Sequence, residues 1–375
     1  MDLYFVYSSG GGAGDWNGIN RVFLNSMPLN FKNNLLIKFG DIFFNHRSNR
    51  SILKTQAWRN VTNAREWLID RTNDETLLDT MNLIMDVGTT KIVSFITHNH
   101  PEYTDIQIIE EFNNIIQNER ILEKYGLIIN NSNIRNAVTF DIPNLFKVRT
   151  QHGNVDRNLF NSLEAKQRMI ELAAQYANHT YHATGNNPDI LLTIISAEWT
   201  NDDIDHYFDL LDYTPTKLGI GALTNYPNAS FNEMLLRLDR KLNFNNYLKV
   251  HFLGSGGIQK ANRIVETLGN RPNFSVDVTT PFNRGIDGNT RGTSQSGYYD
   301  YQTKSLNRIN PDNLENILNI HSEFDNDRKI YNDDEMLEIL ENIIQHQSNN
   351  SSQETYNNRA KLIIHNFDVY QYNVE

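Results

Sequence analysis

The sequence contains no cysteine among its 375 residues. This absence excludes disulfide bonds, thiolate metal sites, iron–sulfur clusters and a cysteine nucleophile. No apolar run approaches the ~20 residues that a membrane-spanning helix needs. The first residues, MDLYFVYSS, lack the basic start and the apolar core of a signal peptide. We therefore expect a cytoplasmic protein that does not associate with membranes.

Other common site signatures are missing as well. The glycine-rich stretch at residues 8–14 is not followed by Gly-Lys-Ser or Gly-Lys-Thr, so it is not a P-loop and is interpreted as a turn. His98 and His100 have the spacing of metal ligands, and His179 and His182 have a similar spacing. Neither pair has an evident third ligand nearby, so polar loop or helix positions are favoured. We predict no metal and no cofactor.

The composition is that of a folded protein with a sizeable core. Hydrophobic residues make up 39% of the chain, aromatic residues 11% and charged residues 21%. A chain of this length forms either two average domains or one large barrel with insertions.

The net charge of −11 is unevenly distributed. Residues 237–308 contain eleven Lys and Arg but five Asp and Glu, whereas the rest of the chain contains 23 basic and 40 acidic residues. A basic segment of this kind suits a polyanionic substrate such as a nucleic acid. Two other interpretations remain open: scattered solvated residues that share no face, or contact with the chain's own acidic surface.

Residues 249–284 have the pattern strand, glycine turn, helix, strand. Leu248, Val250 and Phe252 alternate as in a buried strand, and the second strand ends close to Asp277. Barrels built from β-strands and α-helices present catalytic groups at the carboxyl ends of their strands. Asp277 is therefore the first candidate for a catalytic residue.

Strands and helices alternate with short connections through the rest of the chain after Asp141, which predicts a parallel sheet. The regular repetition favours an α/β fold of the (β/α)8 TIM-type barrel over an open doubly wound sheet. We predict a barrel over residues 1–312, a helical insertion near 98–130, and a C-terminal helical extension over 313–375. The predicted strands include 3–7, 137–141, 189–196 and 218–223, and the predicted helices include 104–125, 159–177, 202–211, 232–242, 314–320, 334–347 and 360–374.

Six short segments at predicted strand ends occur in a distinctive order. In chain order they are LIMDVGTT, VTFDIPN, LLTIISAEWTNDDID, LGIGAL, VHFLGSGG and SVDVTTPFNRG, between residues 83 and 285. Their order and spacing resemble the tRNA-guanine transglycosylase family, whose catalytic domain is a (β/α)8 barrel.

The resemblance implies roles for three carboxylates. Asp277 is similar in position to the family's nucleophile, which forms a covalent bond to the sugar while one base replaces another. Asp86 is similar to the general acid/base, and Asp141 to the aspartate that recognises the purine. Two carboxylates are an economical solution for the cleavage and re-formation of one glycosidic bond.

Further base-contacting positions follow from the same resemblance. Ser196 stands where the family usually has a glutamine that contacts the purine. The segment LGIGAL is similar to the family's Gly-Gly-Leu loop, which implies that Gly221, Ala222 and Leu223 lie against the base edge.

The departures from the family pattern indicate DNA as the substrate. Members that act on tRNA hold a structural zinc with three cysteines and a histidine after the nucleophile. This chain has no cysteine, and residues 285–300 are rich in Gly, Ser and Thr instead. It therefore looks more like the DpdA-type DNA 7-deazaguanine transglycosylases of phages and bacterial modification islands. The abundance of Asn, Ile, Tyr and Phe fits an AT-rich phage genome, which would make the location the host cytoplasm.

The resulting prediction is a glycosyltransferase that exchanges guanine in DNA for a 7-deazaguanine such as 7-cyano-7-deazaguanine. We expect DNA phosphates to be held by Asn283, Arg284, Arg291 and Lys304, and a homodimer is a further expectation. The tyrosines at 298, 299 and 301 are interpreted as core or surface aromatics, with stacking on an extruded base as the alternative.

Three other functions are considered. The same exchange on tRNA is disfavoured by the missing zinc ligands. A non-catalytic nucleic-acid-binding relative is disfavoured because both Asp86 and Asp277 are present. An unrelated barrel glycosidase is disfavoured by the basic segment.

Overall fold

The computed structural model describes residues 1–7, 34–45, 51–72, 82–150, 153–224, 226–255, 257–278, 296–346 and 353–374. Within these residues, eight parallel strands close into a barrel. The fold class predicted from the sequence, a (β/α)8 TIM-type barrel, is confirmed. The barrel strands are β1 (Asp2–Tyr7), β2 (Asn34–Lys38), β3 (Asn82–Asp86), β4 (Asn136–Val138), β7 (Leu191–Ser196), β8 (Lys217–Gly221), β9 (Lys249–Phe252) and β10 (Phe274–Val278).

Each barrel strand pairs with its neighbour in chain order, and β10 closes the circle by pairing with β1. The closing register places Tyr4 opposite Asp277. Since all strands run in one direction, their carboxyl ends form one end of the barrel. We call this end the mouth; its last strand residues are Tyr7, Lys38, Asp86, Val138, Ser196, Gly221, Phe252 and Val278.

The strands form where apolar and β-branched residues run continuously, as in parallel sheets that are covered on both faces. In β7, all six residues of LLTIIS are buried. In β10, all five residues of FSVDV are buried, and Asp277 is among them. A buried carboxylate in an apolar strand costs stability unless it is compensated, which marks Asp277 as unusual.

The helices of the described residues cover the barrel and form its C-terminal region. They are α1 (Phe39–Phe43), α2 (Thr55–Asn60), α3 (Ala64–Thr72), α4 (Thr90–Asn99), α5 (Asp105–Asn118), α6 (Ile121–Asn131), α7 (Leu163–Ala183), α8 (Asn201–Asp209), α9 (Phe231–Leu242), α10 (Ile258–Leu268), α11 (Leu314–Ser322), α12 (Asp333–Gln345) and α13 (Gln353–Val374). No helix in the described part of the chain is both long enough and apolar enough to span a membrane.

The predicted single helix over 104–125 is wrong in one respect, because the chain forms two helices there. The helix α5 begins at a capping box in which Thr104 and Gln107 bond to each other's backbone. Arg120 then takes a left-handed conformation, with φ of 52°, and α6 begins at the next residue. Apolar periodicity continues through this break, so the pattern alone does not reveal it.

The helix α6 lies directly against two barrel strands. Its Tyr125 hydroxyl lies 3.0 Å from the carbonyl oxygen of Met85 in β3 and 2.8 Å from that of Val138 in β4. The region predicted as an insertion near 98–130 therefore includes a helix that packs on the barrel wall.

Two hairpins interrupt the alternation of strands and helices. The strands β5 (Leu145–Thr150) and β6 (Gly153–Asn158) pair after β4, and β11 (Gly297–Tyr299) pairs with β12 (Leu306–Arg308) after β10. Tyr298 is fully buried and Tyr301 is 2% exposed, so of the two positions predicted for these aromatics, core or surface, they take the core.

The C-terminal helix packs onto the barrel. Phe367 of α13 makes an edge-to-face contact with Phe5 of β1, with ring centroids 5.3 Å apart. Asn366 bonds to the backbone of both Gly297 and Tyr299 in β11. The division of the chain at residue 312 stays a prediction.

The barrel end opposite the mouth is filled by a network of polar side chains, which we call the floor. Asn82 donates to the Tyr4 hydroxyl at 2.5 Å and to Asn34 at 3.3 Å, and its own oxygen accepts from Asn136 at 3.2 Å. Lys217 donates to Asn136 at 3.1 Å, and Lys249 donates to the Tyr4 hydroxyl at 2.8 Å. The floor consists of Tyr4, Asn34, Asn82, Asn136, Lys217 and Lys249.

Candidate active site

A pocket of about 240 Å³ opens at the mouth of the barrel. Asp86, Asp141, Glu198 and Asp277 all line it, and Lys38 is the only cationic residue among the described residues of its wall. Three of the four carboxylates are the ones that the sequence singled out. Strand order explains this convergence, since Asp86 ends β3, Asp277 lies near the end of β10, and Asp141 follows β4 by three residues.

One oxygen of the Asp277 carboxylate is fixed by the backbone. Asp277 is 6% exposed, and its Oδ1 accepts a hydrogen bond from the Gly254 amide at 2.6 Å. Gly254 has φ of 60°, and a β-carbon there would lie 2.6 Å from the Thr224 hydroxyl oxygen. Glycine is therefore required at this turn for two reasons, backbone conformation and space.

The same oxygen faces a buried histidine that the sequence reasoning missed. His251 in β9 is fully buried, and its Nε2 lies 3.4 Å from Asp277 Oδ1. Its Nδ1 lies 2.9 Å from the hydroxyl of Ser275, which is also fully buried. Burial lowers the pKa of His251, although Asp277 opposes this effect, so the ring is neutral at neutral pH.

Asp86 lies in an environment that makes it harder to ionise. Burial raises the pKa of Asp86 above its usual value, and the nearby Asp277 charge raises it further. Lys38 opposes the shift, with its Nζ 3.8 Å from Asp86 Oδ2, and the backbone amides of Val87 and Gly88 oppose it too. A carboxyl whose pKa is raised in this way is suited to general acid/base catalysis near neutral pH.

Lys38 remains a cation in this setting. Removal from water disfavours its ammonium, but Asp86, Asp41 and Asp277 together raise the pKa of Lys38 above the usual lysine value. A lysine that acts as a nucleophile needs a lowered pKa instead. Lys38 therefore supplies a fixed positive charge to the pocket and is not suited to Schiff-base chemistry.

The pKa of the Asp141 carboxyl lies far above that of an ordinary aspartate. Burial and the Asp86 charge raise the pKa of Asp141 to about 7, against the hydrogen bond from Thr89 that lowers it. The Thr89 hydroxyl lies 3.4 Å from Asp141 Oδ1, so this hydrogen bond is long. Near neutral pH the group can switch between acid and carboxylate as a ligand binds.

Glu198 and Asn144 form a polar pair on the same wall. The Asn144 amide bonds to the Glu198 carboxylate, and burial raises the pKa of Glu198. Both residues lie just beyond barrel strands, as Asp141 does. Trp199 lies next to Glu198 and is 4% exposed, which gives this side of the pocket an apolar backing.

Four carboxylates facing one ammonium give the pocket an excess of negative charge. Such a pocket is complementary to a ligand that offers hydrogen-bond donors or develops positive charge, and it repels phosphate. A guanine-like base offers N–H donors, and a sugar that loses its base develops positive charge at its anomeric carbon.

Three of the four other residues predicted to contact the base line the pocket: Ser196, Gly221 and Ala222. The Ser196 hydroxyl oxygen accepts a hydrogen bond from the backbone amide of Glu198 at 3.3 Å, and the hydroxyl can still donate its proton to a ligand. Ala222 has φ of 62°, a left-handed conformation that favours glycine. Leu223 is fully buried, does not line the pocket and contributes its carbonyl oxygen to Lys260.

A second pocket of about 670 Å³ adjoins the first, because Thr224 lines both. Its described wall contains Lys260 and Lys304 but no Asp or Glu, together with three tyrosines. The Lys260 ammonium is held by three carbonyl oxygens, those of Leu223, Thr224 and Tyr226, at 2.5 to 3.2 Å. The two pockets therefore differ in the sign of their charge.

The basic residues of the segment 237–308 that the structure describes do not share one face. Lys249 and Arg271 lie at the start of β9 and just before β10, which is the floor end of the barrel. Arg271 forms a salt bridge with Asp239 at 2.7 Å, and Lys241 forms one with Asp205 at 2.5 Å. Among the described basic residues of this segment, Lys260 and Lys304 are the pair that lines the second pocket.

Some predicted site residues cannot be placed. Asn283, Arg284 and Arg291 lie outside the described residues, as does the predicted turn at residues 8–14. The two histidine pairs are placed: His100 stacks on Tyr103, and His182 contacts Asn186 and Asp212. Within the described ranges, no group of three or more His, Asp or Glu is arranged to hold a metal ion.

The residues that sequence reasoning missed are Lys38, Thr89, Asn144, Glu198 and His251. Lys38 and Glu198 carry a weak signal, because each is a charged residue at or just after the end of an apolar run. His251 lies between Val250 and Phe252 and is a polar residue in an apolar strand. Thr89 and Asn144 carry no signal that separates them from ordinary loop residues.

Comparison with known proteins gives no assignment. No family model matches the chain, and no curated protein matches it. The resemblance noted at the strand ends therefore stays a prediction that has to be supported by the chemistry of the site.

Proposed function

We propose that the protein is a transglycosylase that exchanges guanine in DNA for a 7-deazaguanine base through a covalent aspartyl-glycosyl intermediate. The observation that carries this proposal is the convergence of Asp86, Asp141 and Asp277 on one pocket, each in a different environment. Two carboxylates with different roles are the minimal equipment for breaking and remaking a glycosidic bond. The third carboxylate can recognise the base.

The exchange has two steps at the same anomeric carbon. In the first, Asp277 Oδ2 attacks C1′, the C1′–N9 bond breaks with its electron pair going to the base, and Asp86 provides the proton that guanine takes. In the second, the nitrogen of the incoming base attacks C1′ and the C1′–Oδ2 bond breaks. Asp86 accepts the proton from that nitrogen, and both carboxyls return to their starting states.

The raised pKa of Asp86 supports its role as the proton carrier. An ordinary aspartate is fully ionised at pH 7 and a poor acid, whereas burial and Asp277 raise the pKa of Asp86 toward the working range. Lys38 limits that rise, so that the group can also act as a base in the second step.

Asp141 supports recognition of a guanine-like base. Ionised, it accepts hydrogen bonds from the N1–H and exocyclic N–H groups of the Watson–Crick edge. Since the pKa of Asp141 in the empty site is about 7, we expect base binding to strengthen as pH rises from 6 to 8. Adenine offers no N1–H and would leave this carboxylate unsatisfied.

The charge of the two pockets supports a nucleic-acid substrate whose target nucleotide leaves the stack. The negative pocket would take the base and sugar, and the lysine-lined pocket beside it would take a neighbouring phosphate. Lys304, predicted from the sequence to contact phosphates, lines that second pocket. The choice of DNA over tRNA follows from the absence of cysteine, and a cytoplasmic location and phage origin belong to the same proposal.

The test is incorporation of radiolabelled guanine and 7-cyano-7-deazaguanine into duplex DNA, single-stranded DNA and tRNA by the purified protein. We expect label in DNA, loss of at least about 10⁴-fold of the rate in Asp277→Ala, and normal activity in Glu266→Ala. Glu266 is a matched control because it is an exposed carboxylate on α10.

The other results would each overturn part of the proposal. Label in tRNA alone would support the base-exchange mechanism but show that the substrate is tRNA and not DNA. Unchanged activity in Asp277→Ala would exclude the covalent mechanism. Release of guanine without incorporation of any base would indicate a hydrolase, with water in place of the second base. DNA binding without label in any nucleic acid would favour a non-catalytic partner subunit.

A further inference from the structure

His251 has an unusual hydrogen-bonding state for a buried side chain. The ring is fully buried, yet its Nε2 has no partner of good hydrogen-bond geometry in the described part of the chain. Buried polar atoms are nearly always satisfied, and exceptions call for an explanation. An acceptor, Asp277 Oδ1, lies 3.4 Å from Nε2.

The two neighbours of the ring, Ser275 and Asp277, together favour one position for its proton. The Ser275 hydroxyl lies 2.9 Å from Nδ1 and can donate to it, which leaves the proton of a neutral ring on Nε2. In the opposite tautomer, the Nε2 lone pair would face a carboxylate oxygen at 3.4 Å, which is repulsive. The favoured tautomer therefore places an N–H group within 3.4 Å of Asp277 Oδ1, from where a small rotation of the carboxylate would complete the hydrogen bond.

Ser275, His251 and Asp277 do not form a serine hydrolase triad, although the residue types are the same. Ser275 is fully buried and is not among the residues that line the pocket, so no substrate carbon can reach its oxygen. The carboxylate is the group that faces the pocket, and the serine is the group farthest from it. In a serine hydrolase the serine faces the substrate and the carboxylate is the group farthest from it, so the order of the three residues relative to the pocket is reversed here.

We infer that His251, oriented by Ser275, is a positioning residue that donates Nε2–H to Asp277 Oδ1 and so assigns the attack to Oδ2. This inference deepens the proposed function and rests on it. The Gly254 amide donates to the same oxygen at 2.6 Å, so two N–H groups converge on Oδ1. Oδ2 keeps its lone pairs available for C1′.

The two donors affect the second step more than the first. When Oδ2 bonds to C1′, the carboxylate loses its charge and Oδ1 becomes an ester carbonyl oxygen. When the incoming base attacks, the C1′–Oδ2 bond breaks and the negative charge returns to both oxygens. Donors aimed at Oδ1 stabilise that returning charge, as donors do at an oxyanion hole. Without His251, the covalent intermediate is expected to persist.

The experiment compares His251→Phe with His251→Gln. Phenylalanine fills the space without a donor, whereas glutamine can place its amide N–H near the position of Nε2. Each protein is mixed with DNA and then with 7-cyano-7-deazaguanine, and the covalent protein–DNA adduct is followed by denaturing gel after rapid quenching. We expect His251→Phe to slow adduct breakdown about 10-fold or more, with adduct formation affected less, and His251→Gln to recover most of the loss.

A second measurement does not depend on activity. The ¹⁵N shifts of His251 in the wild type report which ring nitrogen is protonated, and we expect a protonated Nε2 and an unprotonated Nδ1 at pH 8, where the ring is neutral. Asp277→Asn should move the Nε2–H signal, and Ser275→Ala should allow the other tautomer to be populated. This readout remains valid if no exchange activity is found, so failure of the proposed function and failure of this inference are distinguishable.

Two results would overturn the inference. One is a ring protonated on Nδ1 in the wild type. The other is adduct breakdown in a folded His251→Phe protein at the wild-type rate. If His251→Phe does not fold, then His251→Gln and the ¹⁵N shifts decide between a donor that orients Asp277 and a core histidine without effect on it.

Discussion

The two ends of the barrel are both lined with polar side chains, but the floor contains asparagines and lysines whereas the mouth contains mainly carboxylates. At the floor, three asparagines, a tyrosine and two lysines bond to one another, and Asn82 alone contacts three of its neighbours. At the mouth, four carboxylates share one pocket with a single ammonium among its described lining residues. Burial lowers the pKa of Lys249 at the floor to about 8 and raises the pKa of Asp141 at the mouth to about 7.

The difference shows where the fold leaves charge without compensation. At the floor, the asparagine amides bond to one another and need no ligand to satisfy them, and the electrostatic cost is confined to the lysines, whose charge burial disfavours. The mouth keeps carboxylates close together although each raises the free energy of the other's ionised form. Neighbouring carboxylates of this kind lower the stability of the folded protein, and they are typical of sites where a bound ligand supplies hydrogen-bond donors to them.

The strongest test of this comparison is Asp141→Asn. Ionising Asp141 in the fold is disfavoured, so the folded state binds more protons than the unfolded state between pH 4 and 7, and stability falls as pH rises. We compare the free energy of unfolding of the variant with that of the wild type. With a pKa of about 7 for Asp141, this difference should favour the variant by up to about 4 kcal/mol more at pH 8 than at pH 4. Denaturant unfolding at both pH values measures the gain, and base exchange should be lost.

A stability difference between variant and wild type that is the same at pH 8 as at pH 4 would contradict the view of Asp141 as an uncompensated charge. Asp212→Asn is a suitable control, because Asp212 is an exposed carboxylate paired with His182. No comparable gain in stability is expected there.

The floor is expected to respond to pH with the opposite sign, and Lys249→Met tests this. Since the folded-state pKa of Lys249 is about 8, below the ordinary lysine value, the unfolded state binds more protons between pH 8 and 10. Wild-type stability should therefore rise by about 2 kcal/mol over this range relative to the variant. Thermal or urea unfolding at pH 8, 9 and 10 measures it, and exchange activity should be unchanged. If the free energies of unfolding of the wild type and Lys249→Met changed equally with pH, the lowered pKa of Lys249 would be refuted.

The smallest effect is expected at the mouth backbone, from Ala222→Gly. Ala222 has a left-handed conformation that costs an alanine roughly 1 kcal/mol, while glycine is more flexible in the unfolded chain. We expect these effects to leave a net stabilisation of a few tenths of a kcal/mol, measurable by chemical denaturation. The same substitution at Ala261, which lies inside α10, should destabilise by about 1 kcal/mol. Equal losses at both positions would show that Ala222 is unstrained.

The barrel and its carboxylates could be predicted because their signals are local. Apolar, β-branched runs such as LLTIIS mark the strands, and a carboxylate at the end of such a run is visible without knowledge of the fold. Parallel strands then bring distant strand ends together, so Asp86, Asp141 and Asp277 meet although they lie up to 191 residues apart.

The remaining features depend on contacts that the sequence does not display. Lys38 matters because β2 pairs with β3 in a register that places it opposite Asp86. His251 matters because β9 pairs with β10, which places Ser275 beside it. The break at Arg120 depends on one backbone torsion within a continuous apolar pattern. Strand register and the Arg120 backbone torsion are set by the folded structure, so they could not be predicted from the pattern of residues alone.

The Tyr125 hydroxyl has a consequence for the width of the pocket. The strands β3 and β4 pair through only two residue pairs, up to Met85 and Ala137, and the carbonyl oxygens of Met85 and Val138 lie beyond or at the end of that ladder. One phenol from α6 reaches both of these oxygens. It thereby helps to set the separation of the two strands that lead to Asp86 and Asp141, the aspartates for which we propose proton transfer and base recognition. Under that proposal, we expect a change in the length of this one side chain to alter which bases fit between the two carboxylates.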